Sequence, residues 1–476
     1  MTGWTATAPG AIGGGMAGET ITLAEFVSGL TFAALPGAVA ARAKALTLDF
    51  LGSAVRARRE AESTPSILAA LTRLGLDGPG PATVMGDARG YAPPVAALLN
   101  GALGHSLDFD DTHAASSLHP SAPVVPAALA AGELVGASGQ TVLAAIVAGY
   151  EVCCRLGLAL DPTAHYARGF HPTATAGTFG AAAAAARVLG LDAAQTVSAF
   201  GVAGSQAAGS LQFLANGAWN KRWQVGAAAM NGLTAAVLAG EGFVGAAEAI
   251  EGVHGLLRGY SDGADPSRLV RGLGEAWETL NIAVKPYPCC RYAHAALDCI
   301  IALRAEHGFA AADVREVEIG LHRNGVVLVG EPAAAKRRPR NVVDGQFSMP
   351  FTAAVALDQG GFGWDDYRRL GEPVLESLCD RVTVRRDEAV EAASPHPFGG
   401  RVRIVTAAGA FERSARDPSG EPDSFPDDHA LRGKFLGLAS PVLGEQAKRL
   451  ADAILTLDRF ADVGDALTSA RAIPTA

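Results

Sequence analysis

Three aspartates, two histidines, a threonine and three serines crowd into LDFDDTHAASSLHPSAP, Leu107–Pro123, within a chain otherwise rich in alanine and glycine. Carboxylates beside imidazoles can bind a cation, cap helices or move protons. Zinc favours H-x-x-x-H or H-E-x-x-H on one helix face, and a hard cation wants several oxygens around one centre. Neither pattern is present, so no metal is expected. Capping would let Asp110, Asp111 and Thr112 end one helix while Ser117 and Ser121 cap the next. Acid/base chemistry would use an aspartate to orient its neighbours and a histidine, with an ordinary pKa of about 6.5, to carry the proton. If the helix opening near Pro94 runs through Asp111, then His105, Asp108 and Thr112 share one face. Asp110, Asp111 and His113 are then structural.

Four further stretches carry reactive or charged groups. In YARGFHPTATAGTFGAAAAAAR, His171 and Pro172 stand just before a small-residue helix, whose positive end lowers the proton affinity of an imidazole. In NGAWNKRWQVGAAAMNG, Lys221 and Arg222 open another alanine-rich helix, either as a solvated turn or as cations for a carboxylate substrate. AVKPYPCCRYAHAALD brings Lys285, Cys289, Cys290, Arg291 and His294 to an apparent domain junction, where ligand sites often lie. KRRPR, Lys336–Arg340, reads alone as an exposed loop; gathered with histidines near a concave junction, its basic groups suit a small polyanion.

The elements that must position these residues are mostly helices. From about Thr22 to Leu257, apolar residues recur at three- and four-residue intervals, with Gly, Pro or Asp at the breaks. After Lys285 the texture changes. VREVEIGLH, RVTVRRD and RVRIVTAAGAFERSA alternate like strands, the last as a hairpin around AAGA, while FTAAVALDQ and the DDYRRL region read as helical. Helical spacing returns from His429. The expected fold is mainly α: an all-helical domain built from residues 20–280 and 425–476, with an α+β lid domain, 281–418, inserted between them.

Composition excludes several classes. Hydrophobic residues make up 49% and charged residues 18%, too apolar for a disordered chain, and the net charge of -9 disfavours a general nucleic-acid binder. The apolar run Thr141–Leu160 carries Glu151 and Arg155, both expensive in lipid, so a buried helix is expected and no membrane partner. The N-terminus lacks the basic start and apolar core of a signal peptide, which makes a cytoplasmic location the expectation. Its glycine run, GAIGGGMAG, has no preceding strand and is discounted as a dinucleotide loop. Six cysteines without a C-x-x-C read as reduced thiols.

In their order, LDFDDTH…HPSAPVVPAALAAGE, GFHPTATAGTFGAAAAAARVLG, Lys221 with its helix, KPYPCCRYAHAALD and FSMPF resemble the MmgE/PrpD family over nearly the whole chain. The resemblance implies a helical domain made from both chain ends, an inserted α+β lid, a homodimer, and a small polycarboxylate substrate handled without metal or organic cofactor. It implies Asp108, Thr112, His119, His171, Lys221 and Lys285 as catalytic residues. Arg338, Arg340, Cys290 and His294 are the candidates for substrate binding. Family members include 2-methylcitrate dehydratases, cis-aconitate decarboxylases and iminodisuccinate epimerases. Where the decarboxylase branch resembles K-x-x-P-x-H this chain has Cys290, and where that branch has a tyrosine after the FS pair it has Phe351. A hydro-lyase is therefore the first expectation and an epimerase the second, with decarboxylation behind both. Two rivals stand outside this scheme: a noncatalytic carboxylate carrier, and a cysteine-dependent transferase or hydrolase using Cys290 with His294 at i and i+4.

Overall fold

The computed structural model describes residues 18–393 and 397–472. The glycine run discounted above lies outside them, apart from Gly18. Small residues decide how closely the helices approach. Those that carry the site are α1 (Gly37–Glu60), α2 (Pro93–Gly104), α3 (Ser121–Val135), α4 (Gly139–Ala159), α5 (Pro172–Val188) and α6 (Asn220–Gly240). α5 packs on α4 and α6, and α6 packs on α2. A Cβ at Gly149 of α4 would stand 2.8 Å from the Gly180 carbonyl of α5, and one at Gly226 of α6 would stand 2.3 Å from the Leu98 carbonyl of α2. Backbone therefore lies against backbone, and the alanine-rich faces leave few voids between them.

α4 is long and apolar enough to cross a membrane, yet it is buried inside the molecule. Its charges are answered by protein. Glu151 accepts from the Thr279 and Glu278 backbone N–H groups and from Arg155, whose guanidinium also donates to the Arg271 and Ala276 carbonyls.

The apolar interior falls into two clusters. One gathers residues from Leu23 to Val284 and from Leu431 to Ala470, and the other gathers residues from Cys289 to Ile404. The second forms around α7 (His294–His307), α8 (Met349–Gln359) and four strands, β1 (Val314–Leu321), β2 (Val382–Arg386), β3 (Gly400–Thr406) and β4 (Gly409–Ala415). Their order is β2-β1-β3-β4, with β1 and β2 parallel and the other pairs antiparallel. β3 alternates as its sequence predicts: Val402 and Ile404 are buried, Arg401 and Arg403 exposed. The AAGA hairpin forms, with Thr406 opposite Gly409. The chain then returns to the first cluster through α9 (Asp428–Leu443) and α10 (Gln446–Leu455), and α9 packs on α1.

Three local expectations change. The DDYRRL region forms a 3-10 helix, Trp364–Arg369. α2 ends at Gly104, seven residues short of Asp111, with His105 as its C-cap. The polar run after it turns back on itself because Asp and Ser side chains compete for backbone hydrogen bonds. Neither Ser117 nor Ser121 caps α3; the Asp111 carboxylate does so, accepting from the Ser121 N–H at 3.2 Å and from its hydroxyl.

Gly226→Ala should force α6 away from α2 and lower stability by about 1–3 kcal/mol, seen as a lower urea midpoint. Gly29→Ala, with nothing within 4 Å of the added Cβ, should shift stability by less than about 0.5 kcal/mol. Equal effects at the two glycines would reject the close-contact account.

Candidate active site

Where α2 stops, the chain enters Asp108 at φ 53°, a left-handed conformation that aspartate tolerates better than most residues. The turn aims the carboxylate between two ammonium groups. Lys221, in the first turn of α6, donates to Oδ1 at 2.7 Å, while Lys285 lies 3.1 Å from Oδ2 and donates to the Asp108 carbonyl at 2.9 Å. A short antiparallel ladder delivers Lys285: Thr112 pairs with Ala283 and His113 with Ile282, so the junction runs beside the acidic loop. Burial pushes the Asp108 carboxyl up, but Lys221 and Lys285 outweigh it and hold the group well below the usual carboxylate range. Burial likewise lowers the proton affinity of Lys221, and Asp108 more than restores it.

Asp108, Thr112, His119, His171, Lys221 and Lys285 line one cavity of about 670 Å³. Cys290 also lines it, and the Thr112 hydroxyl has no hydrogen-bond partner among the described residues.

Two imidazoles line this cavity with different neighbours. Gln224 accepts from the Ser210 N–H at 3.1 Å through Oε1, which fixes its amide, so its NH2 donates to His171 Nδ1 at 2.7 Å. Neutral His171 therefore carries its proton on Nε2. His119 Nδ1 lies 3.5 Å from Asp110 Oδ2, an oxygen that also meets His105 Nδ1 at 2.6 Å. His119 Nδ1 has no hydrogen-bond partner among the described residues, so Asp110 acts on this ring through its charge and favours the protonated form against burial. Burial lowers the proton affinity of His119 and His171 well below that of a free imidazole.

His105, Asp110 and His119 are close enough together to be considered as metal ligands. Ligands at about 2.0–2.1 Å from zinc lie roughly 3.3 Å apart at the tetrahedral angle. The 2.6 Å between His105 Nδ1 and Asp110 Oδ2 is instead a hydrogen-bond distance.

Other expected residues go elsewhere. Arg338 is exposed and donates to Asp380 at 2.8 Å, with Glu376 at 3.7 Å, because the helix Pro373–Asp380 offers carboxylates closer than the cavity. Arg340 is also exposed, and its backbone N–H donates to Asp344 at 3.1 Å. Neither lines the cavity; from the KRRPR segment it is Lys336 that reaches a side pocket. His294 is buried behind the wall, its Nε2 against the Cys289 carbonyl at 3.1 Å, and no Cys290–His294 hydrogen bond is present among the described residues. Burial raises the Cys290 thiol to about 11, which suits a packing group better than a nucleophile. His113 uses both ring nitrogens on Ser116 and Glu278.

Spacing alone missed the parts played by Asp110, Gln224 and His105. The first was assigned to structure because a continuous helix would have turned it away from the site. Gln224 stands three residues after Lys221 on α6, and its contact with His171 depends on how α5 and α6 cross.

Comparison with known proteins came to the same chain-wide likeness. Residues 21–269 match the MmgE/PrpD N-terminal domain model and residues 287–459 the C-terminal domain model. The chain is 30% identical to a cis-aconitate decarboxylase of Aspergillus terreus, over 94% of this chain and 95% of that protein. It is 29% identical to the cis-aconitate decarboxylase-like protein oryM of Aspergillus oryzae, over 94% and 96%. The cis-aconitate decarboxylase of Homo sapiens is 28% identical over 76% of each chain.

The charge triad makes a stability prediction. The folded pKa of Asp108 is depressed, so its contribution is present above the unfolded value, about 3.9, and is lost as pH falls through the folded one. Lys221 is raised, so its contribution is complete below about 10.4 and is lost as pH rises through the folded value. Asp108→Asn should therefore cost about 3–5 kcal/mol at pH 7 by leaving two cations unpaired, with the deficit shrinking below about pH 4. Chemical denaturation across pH checks this; a loss under about 1 kcal/mol at pH 7 would mean that solvent already screens the triad.

Proposed function

The chain belongs to the MmgE/PrpD family, and on that premise we propose that it is a metal-free lyase that decarboxylates a cis-aconitate-like tricarboxylate. The observation that carries this reading is the pair of imidazoles, His119 beside the Asp110 carboxylate and His171 beside the Gln224 amide, sharing one cavity with the Lys221–Asp108–Lys285 triad. Its relatives' names favour decarboxylation over the hydro-lyase expected first. One argument against decarboxylation has also weakened: Phe351 is buried among Phe362 and Tyr367 and does not line the cavity.

The reaction needs a proton delivered to carbon. The bond from the substrate methylene to its carboxylate breaks, and its electrons form a new alkene to the central carbon. The old alkene pair takes a proton at the carbon next to a remaining carboxylate, and CO2 leaves. Charge grows on that carboxylate, where Lys221, Lys285 and the free Thr112 hydroxyl stabilise the transition state more than the ground state. Burial by itself favours neutral imidazoles. Three incoming carboxylates raise their proton affinity, so His119 acquires the proton it hands to carbon. His171 Nε2–H holds the substrate from the other imidazole.

Dehydration is the second reading, favoured by the resting protonation pattern and by Cys290 in the K-x-x-P-x-H position. Neutral His119 would take the proton next to a carboxylate while the His171 side protonates the departing hydroxyl. Epimerisation would require proton delivery from both faces. The proposal also includes the α+β unit acting as a lid over the cavity, a homodimer and a cytoplasmic location.

Chelator-treated protein with cis-aconitate in deuterated water should release CO2 and place one deuteron next to a carboxylate. Alkene formation from methylcitrate or citrate without decarboxylation would transfer the assignment to dehydration, and inertness toward all three would sink both. Chelator-sensitive turnover would remove the metal-free mechanism. His119→Ala and His171→Ala should each lower kcat about 10²–10⁴-fold. Gln224→Glu should imitate His171→Ala, because an acceptor facing Nδ1 moves the proton off Nε2. With imidazole pKa values depressed in the free enzyme and raised by bound anion, the histidine pKa in the kcat profile should exceed that in kcat/KM.

A further inference from the structure

Beside the cavity lies a second pocket of about 350 Å³, reached past Asp108, Lys221 and Phe347, which line both. Its wall carries Arg222 and Lys336. Arg222 is only 8% exposed, and its hydrogen-bond partner is the neutral Ser63 hydroxyl at 3.2 Å. No carboxylate stands within ion-pair distance of Arg222 among the described residues; Glu62 and Asp108 act on it from farther away. Lys336 donates to the Leu328 carbonyl at 2.7 Å and likewise has no ion-pair partner among the described residues. A buried guanidinium without a carboxylate is costly unless something anionic completes it.

Asp344, on the same wall, acts on Lys336 from beyond ion-pair distance. Its carboxylate accepts from the Arg340 N–H at 3.1 Å and from Asn341 Nδ2 at 3.2 Å, within its own turn. Asp108 is already shared between Lys221 and Lys285. The pocket thus presents three cations to two carboxylates: Lys221 is paired with Asp108, whereas Arg222 and Lys336 have no ion-pair partner among the described residues. Arg222 and Lys336 come from different parts of the chain, Arg222 from α6 of the helical cluster and Lys336 from the segment ahead of α8. An anion between them would tie the two parts of the molecule together.

Resting on the reading that the main cavity takes a polycarboxylate, we propose that this side pocket is a separate anion subsite. Arg222 and Lys336 hold the substrate carboxylate farthest from the reacting carbon there, and so select tricarboxylates over dicarboxylates. Arg222 suits the task because its planar fork can grip a carboxylate with two parallel hydrogen bonds, whereas Lys336 adds a point charge. Both are positioning residues and neither takes part in proton transfer.

Unreactive analogues separate this proposal from the reaction itself. Calorimetry on the whole protein would compare propane-1,2,3-tricarboxylate with methylsuccinate, which lacks the third carboxylate. The wild type should bind the tricarboxylate at least about 10-fold more tightly. Arg222→Gln and Lys336→Gln should each weaken the tricarboxylate about 10-fold or more while changing methylsuccinate affinity less than about 2-fold, in keeping with the strength of a charge-assisted hydrogen bond. Arg222→Lys, which keeps the buried charge, should fall between wild type and Arg222→Gln. If Arg222→Gln fails to fold, the partly exposed Lys336→Gln carries the test. Unchanged tricarboxylate affinity in Lys336→Gln and in the folded Arg222 variants would overturn the subsite while leaving the polycarboxylate cavity standing. Failure of the wild type to bind either analogue would overturn the polycarboxylate reading first.

Discussion

One carboxylate shared by two ammonium groups organises this protein. Lys221 comes from the start of α6 and Lys285 from the junction between the two apolar clusters, and both converge on Asp108. Each contact is worth roughly 4 kcal/mol at 4 Å for an effective dielectric of about 20, against a desolvation penalty of several kcal/mol per ion. The triad therefore stands near balance, with one positive charge left over. That surplus makes the cavity receptive to anions, and the left-handed backbone at Asp108 is the local strain that the surrounding packing sustains.

The rest of the fold holds the acidic loop against those cations. α9, near the far end of the chain, sends Lys434 beneath it: Nζ lies 2.6 Å from Asp49 of α1, donates to the Phe109 carbonyl at 2.8 Å and stands 3.9 Å from the Phe109 ring centroid. Asp111 anchors the start of α3, and Tyr150 of α4 closes that network through Ser121. Neighbouring aspartates thus divide the labour: Asp108 faces the lysines, Asp110 the histidines and Asp111 a helix terminus. Close contact at Gly232 of α6, where a Cβ would stand 2.5 Å from the Ala182 backbone nitrogen of α5, keeps these helices near enough for Gln224 to reach His171. Alanine and glycine are common here because a larger side chain at these contacts would force the helices apart.

What the sequence by itself determined is the set of elements and a group of polar residues that share one cavity. Helical spacing, the switch to alternation after Lys285 and the return to helix near His429 are local properties of side-chain pattern, legible without tertiary contacts. Asp108, Thr112, His119, His171, Lys221 and Lys285 could be named from ordered motifs, and they share one cavity. Helix termination was less legible: LGHSLDFDD has helical spacing, but its polar side chains and a left-handed aspartate end α2 at Gly104. Only the tertiary structure decided the tautomer of His171, because Gln224 donates to its Nδ1 from another segment. It also decided that Arg338 turns to carboxylates outside the cavity, that the exposed Arg340 does not line it, and that Lys336 and Arg222 line the side pocket. The physical reason is common to both: a helix or strand follows from neighbours along the chain, whereas a proton position or the partner of a cation depends on distances between segments that meet only when the chain has folded.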